Sequence, residues 1–322
     1  MKILVTGASG LIGRHLCPLL ADAGHSVHAL VLPGSIAPEL EHDRINRFPG
    51  DVTVPESLAV AVQSCDAVVH AAGIKAAGRN RTFQRVNIEG TRHLADAAAQ
   101  AGVKRLIYIS SIAAQGPSTP GRPHGTPGTE QPHGAYGESK LAAERLLHDH
   151  PVGPFTTVLR PGITYGPHDK EMLTWVRLAR RRVLPIRPQF ELSFIHVYDL
   201  VELIAQLIPT ESPSFGPYFV SDGHVRTMEE VVDIIERTLS TGPTVRLFLN
   251  DSMIGRVATT LRRITEASGI LSGVSKVVGD LETASWACEP TQAREAFSFT
   301  PKVQLRQGLA DTIRWYERTG KL

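Results

Sequence analysis

Short apolar, β-branched runs alternate with amphipathic stretches through the first 160 residues. The apolar runs predict strands over residues 2–6, 26–31, 44–48, 67–70, 105–110 and 156–160. Between them, spacing of apolar positions at three and four residues predicts helices over 11–23, 55–63, 83–101 and 136–148. Thr53 and Glu56 have capping-box spacing, which predicts a helix starting at Val54 or Pro55. Strand–helix alternation at this spacing gives an α/β fold with a doubly wound parallel sheet covered on both faces. The unbroken apolar character of Ile3–Val5 and Val68–Val69 agrees, since such strands are buried on both sides. After residue 160 the rhythm changes. Strands are expected at 194–197, 218–220 and 245–249, and helices at 199–207, 228–239 and 304–318, with Thr227 and Glu230 as a second capping-box pair. Residues 251–285 carry no motif, and the Pro- and Gly-rich stretch 116–134 reads as a loop, either the wall of a site or plain surface.

Composition narrows the class. The 322 residues include 42% hydrophobic and 20% charged positions, ordinary for a globular protein with a sizeable core. A formal net charge of +2 offers no field for nucleic acid or an anionic membrane. The 13 histidines are scattered without His-x-x-x-His spacing, and Cys-x-x-Cys is absent, so no metal site is expected. Cys17, Cys65 and Cys288 are odd in number and far apart; the first two read as core residues rather than a disulfide framework. Lys2 leads straight into an apolar strand, and no apolar run approaches the roughly 18–20 residues of a membrane span. The expectation is a cytoplasmic protein.

Candidate chemistry sits at two places. Gly7, Gly10 and Gly13 stand on the first strand-to-helix turn. Glycine there permits a tight turn, close approach of the backbone to a pyrophosphate and helix–strand packing, while the helix N-terminus through Leu11 and Ile12 offers free N–H groups to phosphate. Tyr136 and Lys140 are four residues apart on one helix and share a face. A lysine ammonium within about 4 Å stabilises a phenolate by roughly 4 kcal/mol at an effective dielectric near 20. That is some three pKa units, enough to bring a tyrosine toward acid/base use at neutral pH.

Thr6-Gly-x-x-Gly-x-x-Gly13 is followed in order by Asp51-Val52, His70-Ala-Ala-Gly73, Val86-Asn87-x-x-Gly-Thr91, Ser110-Ser111 and Tyr136-Gly-x-Ser-Lys140. Arg160-Pro-Gly162, Tyr165-Gly-Pro167 and Phe194-Ile-His-Val-x-Asp199 continue the series, and Trp286, Ala293-Arg294, Phe299-x-Pro301, Gly308 and Trp315-Tyr316 close it. Across essentially its whole length the chain resembles the extended short-chain dehydrogenase/reductases of the NAD-dependent epimerase/dehydratase superfamily, nearest the 3β-hydroxysteroid dehydrogenase-like branch. The resemblance implies a Rossmann domain over residues 1–165, continued by 193–222, and a smaller discontinuous substrate-binding region over 166–192 and 223–322. It implies an NAD(P) enzyme in which Tyr136 exchanges a proton with substrate, Lys140 binds the nicotinamide ribose and Ser111 polarises a carbonyl. Ser110 would face the cofactor. Asp51 and Val52 would flank the adenine, Ala71, Ala72 and Gly73 would line the path to the nicotinamide, and Asn87, Pro161 and Gly162 would border the cofactor site. Arg160 and Asp199 read as structural, Asp199 as a helix cap, and His196 as a satisfied core histidine. Dimerisation through helices 83–101 and 136–148 is also implied.

The second predicted strand ends Val31-Leu32-Pro33-Gly34-Ser35 without the acid that commonly holds the ribose of NAD. Arg14, directly after Gly13, is the candidate partner for a 2′-phosphate, so the balance favours NADP. Three functions compete: an oxidoreductase for a hydrophobic secondary alcohol or ketone, a nucleotide-sugar epimerase or dehydratase, and a non-catalytic NADP sensor. Such sensors commonly lack the Tyr–Lys pair, which this chain keeps. Family members that bind sugar diphosphates commonly carry an Asn at the place of Ile163 and an Arg at the place of Leu192. Two apolar residues there favour a hydrophobic substrate, with Arg177, Arg180, Arg181, Arg182 and Arg187 read as a solvated helix face.

Overall fold

Seven strands lie side by side and all parallel in one sheet. Six come from the first half of the chain: β1 (Lys2–Thr6), β2 (Ser26–Val31), β3 (Ile45–Pro49), β4 (Ala67–His70), β5 (Arg105–Ile109) and β6 (Thr156–Pro161). Three short strands of the second half, β7 (Ile163–Tyr165), β8 (Val183–Ile186) and β9 (Glu191–His196), precede the seventh, β10 (Tyr218–Val220). The order β10-β6-β5-β4-β1-β2-β3 reverses between β1 and β4, and in open sheets of this kind ligands bind at the carboxyl ends beside that reversal. The computed structural model describes residues 1–75, 80–209, 214–240, 242–249, 253 and 285–322.

Side chains alternate across the sheet. Ile3, Val5 and Val69 pack under α1 (Leu11–Asp22) and a later helix over Val197–Leu207, while Leu4 and Val68 pack under the helices between β3 and β6. Those helices are α2 (Pro55–Ala61), α3 (Asn80–Phe83), α4 (Gly90–Gln100) and α5 (Gly134–Asp149). The helix expected over 83–101 starts earlier and contains a π turn over Gln84–Glu89, which places Asn87 in the interior. The Thr53–Glu56 capping box does not form. Val54 is the N-cap of α2 without a side-chain bond, because the Asp51 carboxylate takes the Thr53 N–H at 2.8 Å and Pro55 at the first position has no N–H to satisfy.

A second apolar cluster is built around α6 (Lys170–Arg180), α8 (Met228–Leu239) and α10 (Leu305–Arg318), named in order with α7 (Val197–Leu207) and α9 (Thr291–Phe297). Strand β11 (Val225–Thr227) pairs with β9, and β9 with β7; β12 (Val245–Phe248) pairs with β8. The expected box at Thr227 and Glu230 is present with both of its bonds, at 3.3 and 2.8 Å. The loop after Ser111 is tied down. Ser118 bridges to Ser285 and His124 to Cys288, so residues 116–133 lie against the segment that leads into α9. The stretch 251–285, illegible in sequence, lies outside the described residues except at Met253 and Ser285. All three cysteines are free and buried. Among the described residues no helix is long and apolar enough to cross a membrane.

Candidate active site

The three glycines of the first turn do different work. Gly7 has φ +68° and lies so close to β4 that an added Cβ would stand 2.7 Å from the Ala72 nitrogen. A Cβ on Gly13 would meet Ala8 Cα at 2.4 Å, so Gly13 serves the close packing of α1 on the turn that follows β1. At Gly10 the added atom would meet only the Gly7 carbonyl, at 3.1 Å, which leaves its outer face open. Gly10 caps α1 with no side-chain bond. The first-turn amides of Leu11, Ile12 and Gly13 have no intrahelical acceptor by geometry, and together with the open face they fit a pyrophosphate. Arg14 is turned aside from this cradle. It donates to the Ser9 carbonyl at 2.8 Å, the Glu39 carboxylate at 2.6 Å and the Ile36 carbonyl at 2.5 Å.

Asp51 folds back on its own turn, and Val52 is buried against Gly90 of α4. Pro161 ends β6, and Gly162 packs against the Ser193 carbonyl of β9, with 2.5 Å to an added Cβ. Beyond β4 the chain runs through Ala71, Ala72 and Gly73. Asn87 then clamps the next residue: it accepts from the Ile74 N–H at 2.9 Å and donates to the Ile74 carbonyl at 3.1 Å and to Ser139 Oγ at 2.9 Å. Ser139 in turn donates to the Tyr136 carbonyl at 2.8 Å. Asn87 therefore ties the segment after β4 to the helix carrying Tyr136. An atom added at Gly73 would lie 3.2 Å from Asn87 Oδ1 and 3.7 Å from Lys140 Nζ, so a side chain there would crowd the Asn87 amide and stand beside the lysine.

Ser111 caps the turn Ile112–Ala114, accepting from the Ala113 N–H at 3.2 Å, and its hydroxyl acts on the Tyr136 phenol as a hydrogen-bond partner that favours ionisation. Lys140 lies one turn along α5, but its ammonium goes elsewhere than the spacing suggests. It donates to Tyr108 Oη at 3.1 Å and to the Ile109 carbonyl at 2.7 Å, because the end of β5 offers buried acceptors that a desolvated ammonium requires. Burial lowers its pKa to about 7, with Glu144 opposing and Lys75 adding to the fall. The cation acting on Tyr136 is Lys75. Burial holds the phenol above its ordinary range; Lys75 and then Ser111 pull it down, and Glu171 pushes it up. Lys75 Nζ stands 3.5 Å from Glu171 Oε1 on the first turn of α6, whose N-cap Asp169 accepts from the Glu171 and Met172 amides. Sequence reasoning missed Lys75 and Glu171. Asp169 followed by Lys-Glu-Met was a legible helix start, but nothing in one dimension brings it to residue 75.

Several expected roles change. Ser110 does not face the cofactor path: its hydroxyl donates to the Glu144 carboxylate inside the protein. Arg160 is structural as expected, but buried rather than simply ending a strand. It forks onto Glu144 (3.0 and 2.6 Å), donates to Gln115 Oε1 at 2.7 Å and reaches Glu130 at 3.2 Å. Asp199 is not the cap of α7. That place is taken by His196, whose Nδ1 accepts from the Tyr198 N–H at 3.3 Å, and Asp199 instead accepts from the Lys302 and Val303 amides. His196 is only half satisfied, since its buried Nε2 has no partner among the described residues; burial lowers its pKa to about 4. Ile163 and Leu192 both belong to the second apolar cluster, beside Trp175 and Trp286. Among the arginines of α6 and beyond, Arg177 donates to the Lys321 carbonyl and Arg180 lies 3.7 Å from Glu317.

Residues 3–218 match the NAD dependent epimerase/dehydratase family. The chain belongs to that family. It is an enzyme of the extended short-chain dehydrogenase/reductase type, with a Rossmann-like α/β fold. Among curated relatives of this epimerase/dehydratase-family enzyme, a ceramide reductase of Caulobacter vibrioides is 28% identical over 99% of this chain and 96% of its own. A 2-alkyl-3-oxoalkanoate reductase of Stenotrophomonas maltophilia is 29% identical over 96% and 97%. A 3β-hydroxysteroid dehydrogenase/Δ5→4-isomerase of Mycobacterium tuberculosis is 30% identical over 71% and 67%. Among solved structures, the Bordetella bronchiseptica enzyme WbmG in complex with NAD covers 100% of this chain and 95% of its own, with TM-score 0.79 and 22% identity. A UDP-glucose 4-epimerase of Thermotoga maritima with UDP-glucose covers 99% of each chain at TM-score 0.79 and 20% identity. Likeness at that level speaks to fold alone.

Proposed function

We propose that this enzyme interconverts a secondary alcohol and a ketone on a hydrophobic small molecule, with Tyr136 as acid/base and Ser111 polarising the oxygen. The dinucleotide, when bound, supplies hydride transfer. The chain's own residues do the rest: Gly7, Gly10 and the amides of Leu11, Ile12 and Gly13 cradle phosphate, and Ala71, Ala72, Gly73 and Lys140 border the nicotinamide ribose. Asn87 holds that border against α5, and Asp51, Val52, Pro161 and Gly162 shape the edges of the cofactor site. The Tyr136 phenol exchanges its proton with the substrate oxygen while Ser111 donates to that oxygen.

The observation that carries the substrate class is the burial of Leu192 and the partial burial of Ile163 in one apolar cluster, at the two places where, by the family resemblance, diphosphate-binding members carry an Arg and an Asn. Each charge-assisted hydrogen bond so lost is worth roughly 1.5–3 kcal/mol to a dianion. The names of three relatives, a ceramide reductase, an oxoalkanoate reductase and a hydroxysteroid dehydrogenase, point the same way. The epimerase or dehydratase reading is supported by the family match over residues 3–218 and by fold likeness to solved structures such as the UDP-glucose 4-epimerase. We assign the substrate region to 166–192 and 223–322, the lobe around α6, α8 and α10.

Of the two grounds for an NADP preference, the missing acid after Val31 stands, but Arg14 no longer supports it, because that guanidinium is already compensated by Glu39. A 2′-phosphate brought there would meet a carboxylate, so NAD(H) is proposed as the working cofactor. A homodimer through α3–α4 and α5 is proposed on the family resemblance; light scattering tests it. The substrate proposal is tested by thermal shift with NADH present, comparing UDP-, GDP- and dTDP-sugars with steroid and long-chain ketones. Saturable stabilisation by a ketone supports it, and saturable stabilisation by one nucleotide sugar alone overturns it.

A further inference from the structure

Thr6, His70 and Tyr108 stand side by side, in register, on the neighbouring strands β1, β4 and β5. Registered residues of adjacent parallel strands put their side chains on one face of the sheet. Over that face α4 contributes Thr91 and α5 contributes Lys140. All five side chains are buried, so each polar atom has to find its partner inside. Lys140 Nζ donates to Tyr108 Oη at 3.1 Å and to the Ile109 carbonyl at 2.7 Å, and it lies 4.5 Å from the centre of the Tyr108 ring. Thr91 Oγ1 donates to the Asn87 carbonyl at 2.7 Å and meets His70 Nε2 at 2.9 Å. His70 Nδ1 meets Thr6 Oγ1 at 2.7 Å, and Thr6 accepts from the Ala72 N–H at 3.2 Å. Thr91 is also a hydrogen-bond partner of the Tyr108 phenol.

The hydrogens of this chain fit in one direction. Thr91 gives its single hydroxyl hydrogen to Asn87, so toward His70 and Tyr108 it can only accept. His70 therefore carries its hydrogen on Nε2, and its bare Nδ1 accepts from Thr6; the ring is neutral because burial, with Lys140 nearby, lowers its pKa to about 3. Tyr108, whose phenol burial keeps protonated, gives its hydrogen to Thr91. What Tyr108 has left is a lone pair, and Lys140 is the group that takes it. An ammonium has three N–H donors and no acceptor. Two are taken by the end of β5, and one remains for a ligand. The space beside Nζ is that left by Gly73, where an added atom would stand 3.7 Å away.

We propose that Tyr108 is the positioning residue for Lys140: its hydroxyl, fixed as an acceptor by Thr91, seats the ammonium so that the third N–H is offered to the nicotinamide ribose. The assignment takes Lys140 as the ribose-binding lysine of the proposed function and depends on no substrate. Through Thr6 and Ala72 the same chain of bonds runs past Gly7, so the lysine and the phosphate turn are held to one frame. Tyr108 itself is fully buried and acts through the lysine. Loss of its hydroxyl is felt by the nicotinamide half of the dinucleotide and not by the adenosine half.

The test compares Kd values for NADH, by its fluorescence, and for ADP, by calorimetry, in the full-length protein. Tyr108→Phe keeps the ring under the ammonium and removes only the hydroxyl. It is expected to weaken NADH about tenfold, the worth of one hydrogen bond to a charged group, and to leave ADP within about twofold of wild type. Lys140→Met shows the same split, and adding Tyr108→Phe to it costs no further NADH affinity, because the two residues act as one unit. Thr91→Val, which removes the acceptor of the phenol hydrogen, reproduces the split, and Thr91→Ser restores wild-type binding; this pair decides the matter where Tyr108→Phe does not fold. Unchanged NADH affinity in Tyr108→Phe, equal losses for NADH and ADP, or a full extra loss on top of Lys140→Met each overturn the role of Tyr108. A wild type that binds neither NADH nor ADP would instead overturn the proposed function.

Discussion

The Lys75 ammonium stands 3.5 Å from the Glu171 carboxylate, and both charges act on the Tyr136 phenol, the lysine favouring its ionised form and the glutamate opposing it. Lys75→Met therefore raises the pH at which Tyr136 serves as a base, and Glu171→Gln lowers it. The pH dependence of alcohol oxidation checks this. A displacement of about one unit in opposite directions is expected, with the Lys75→Met rate at neutral pH down about tenfold. Profiles that coincide with wild type would remove both residues from the account of the tyrosine.

Tyr136→Phe deletes the one oxygen proposed to carry the proton and leaves the Asn87–Ser139 clamp on the backbone intact. Turnover is expected to fall by about 10²–10⁴, the usual worth of general acid–base catalysis, with NADH affinity nearly unchanged. Steady-state rates with cofactor titration measure both. A variant retaining more than about a tenth of the wild-type rate takes Tyr136 out of that role.

Gly7 and Gly10 separate folding from binding. Gly7→Ala puts a side chain at φ +68° and against the Ala71–Ala72 backbone, so its melting temperature drops even without cofactor. Gly10→Ala meets only one carbonyl and folds normally, but fills the phosphate cradle and loses NADH affinity. Melting curves with and without NADH distinguish the two. Wild-type NADH binding by Gly10→Ala would mean that the dinucleotide does not lie on this turn.

Acid stability follows from His70, which donates or accepts between Thr6 and Thr91 in the interior. Burial, with Lys140 nearby, lowers its pKa to about 3 from an ordinary 6.5. Between those values the unfolded chain binds a proton that the folded chain does not, so stability is full above about pH 6.5 and is lost as pH falls toward 3. The slope is roughly 1.4 kcal/mol per pH unit for this group. Urea unfolding of wild type and His70→Gln at several pH values measures it; the variant should show a shallower acid slope, and an unchanged slope refutes the assignment.

The parallel sheet was legible because its strands are buried on both faces and read as unbroken apolar runs, as in Ile3–Val5 and Val68–Val69. The glycine turn and the Tyr136 helix were legible because their spacing is local. What escaped was long-range. Lys140 leaves Tyr136 for acceptors at the end of β5, 31 and 32 residues away, and Arg14 finds Glu39 across 25 residues. Capping at Thr53 failed against a competing Asp51 turn only two residues back. The three-residue strands β7 and β11 exist through pairing with β9, and no pattern that short stands out in a chain.

Net hydride transfer between a nicotinamide cofactor and an apolar substrate is measured most directly on the cofactor itself. Purified enzyme is mixed with NADH and a panel of steroid and long-chain ketones, and in parallel with UDP-, GDP- and dTDP-sugars, while NADH absorbance and products are followed together. NADH is expected to be consumed in step with one alcohol formed from a ketone, and Tyr136→Phe is expected to stop both. Conversion of a nucleotide sugar to an epimer or a dehydrated product, with no net change in the cofactor, would contradict it.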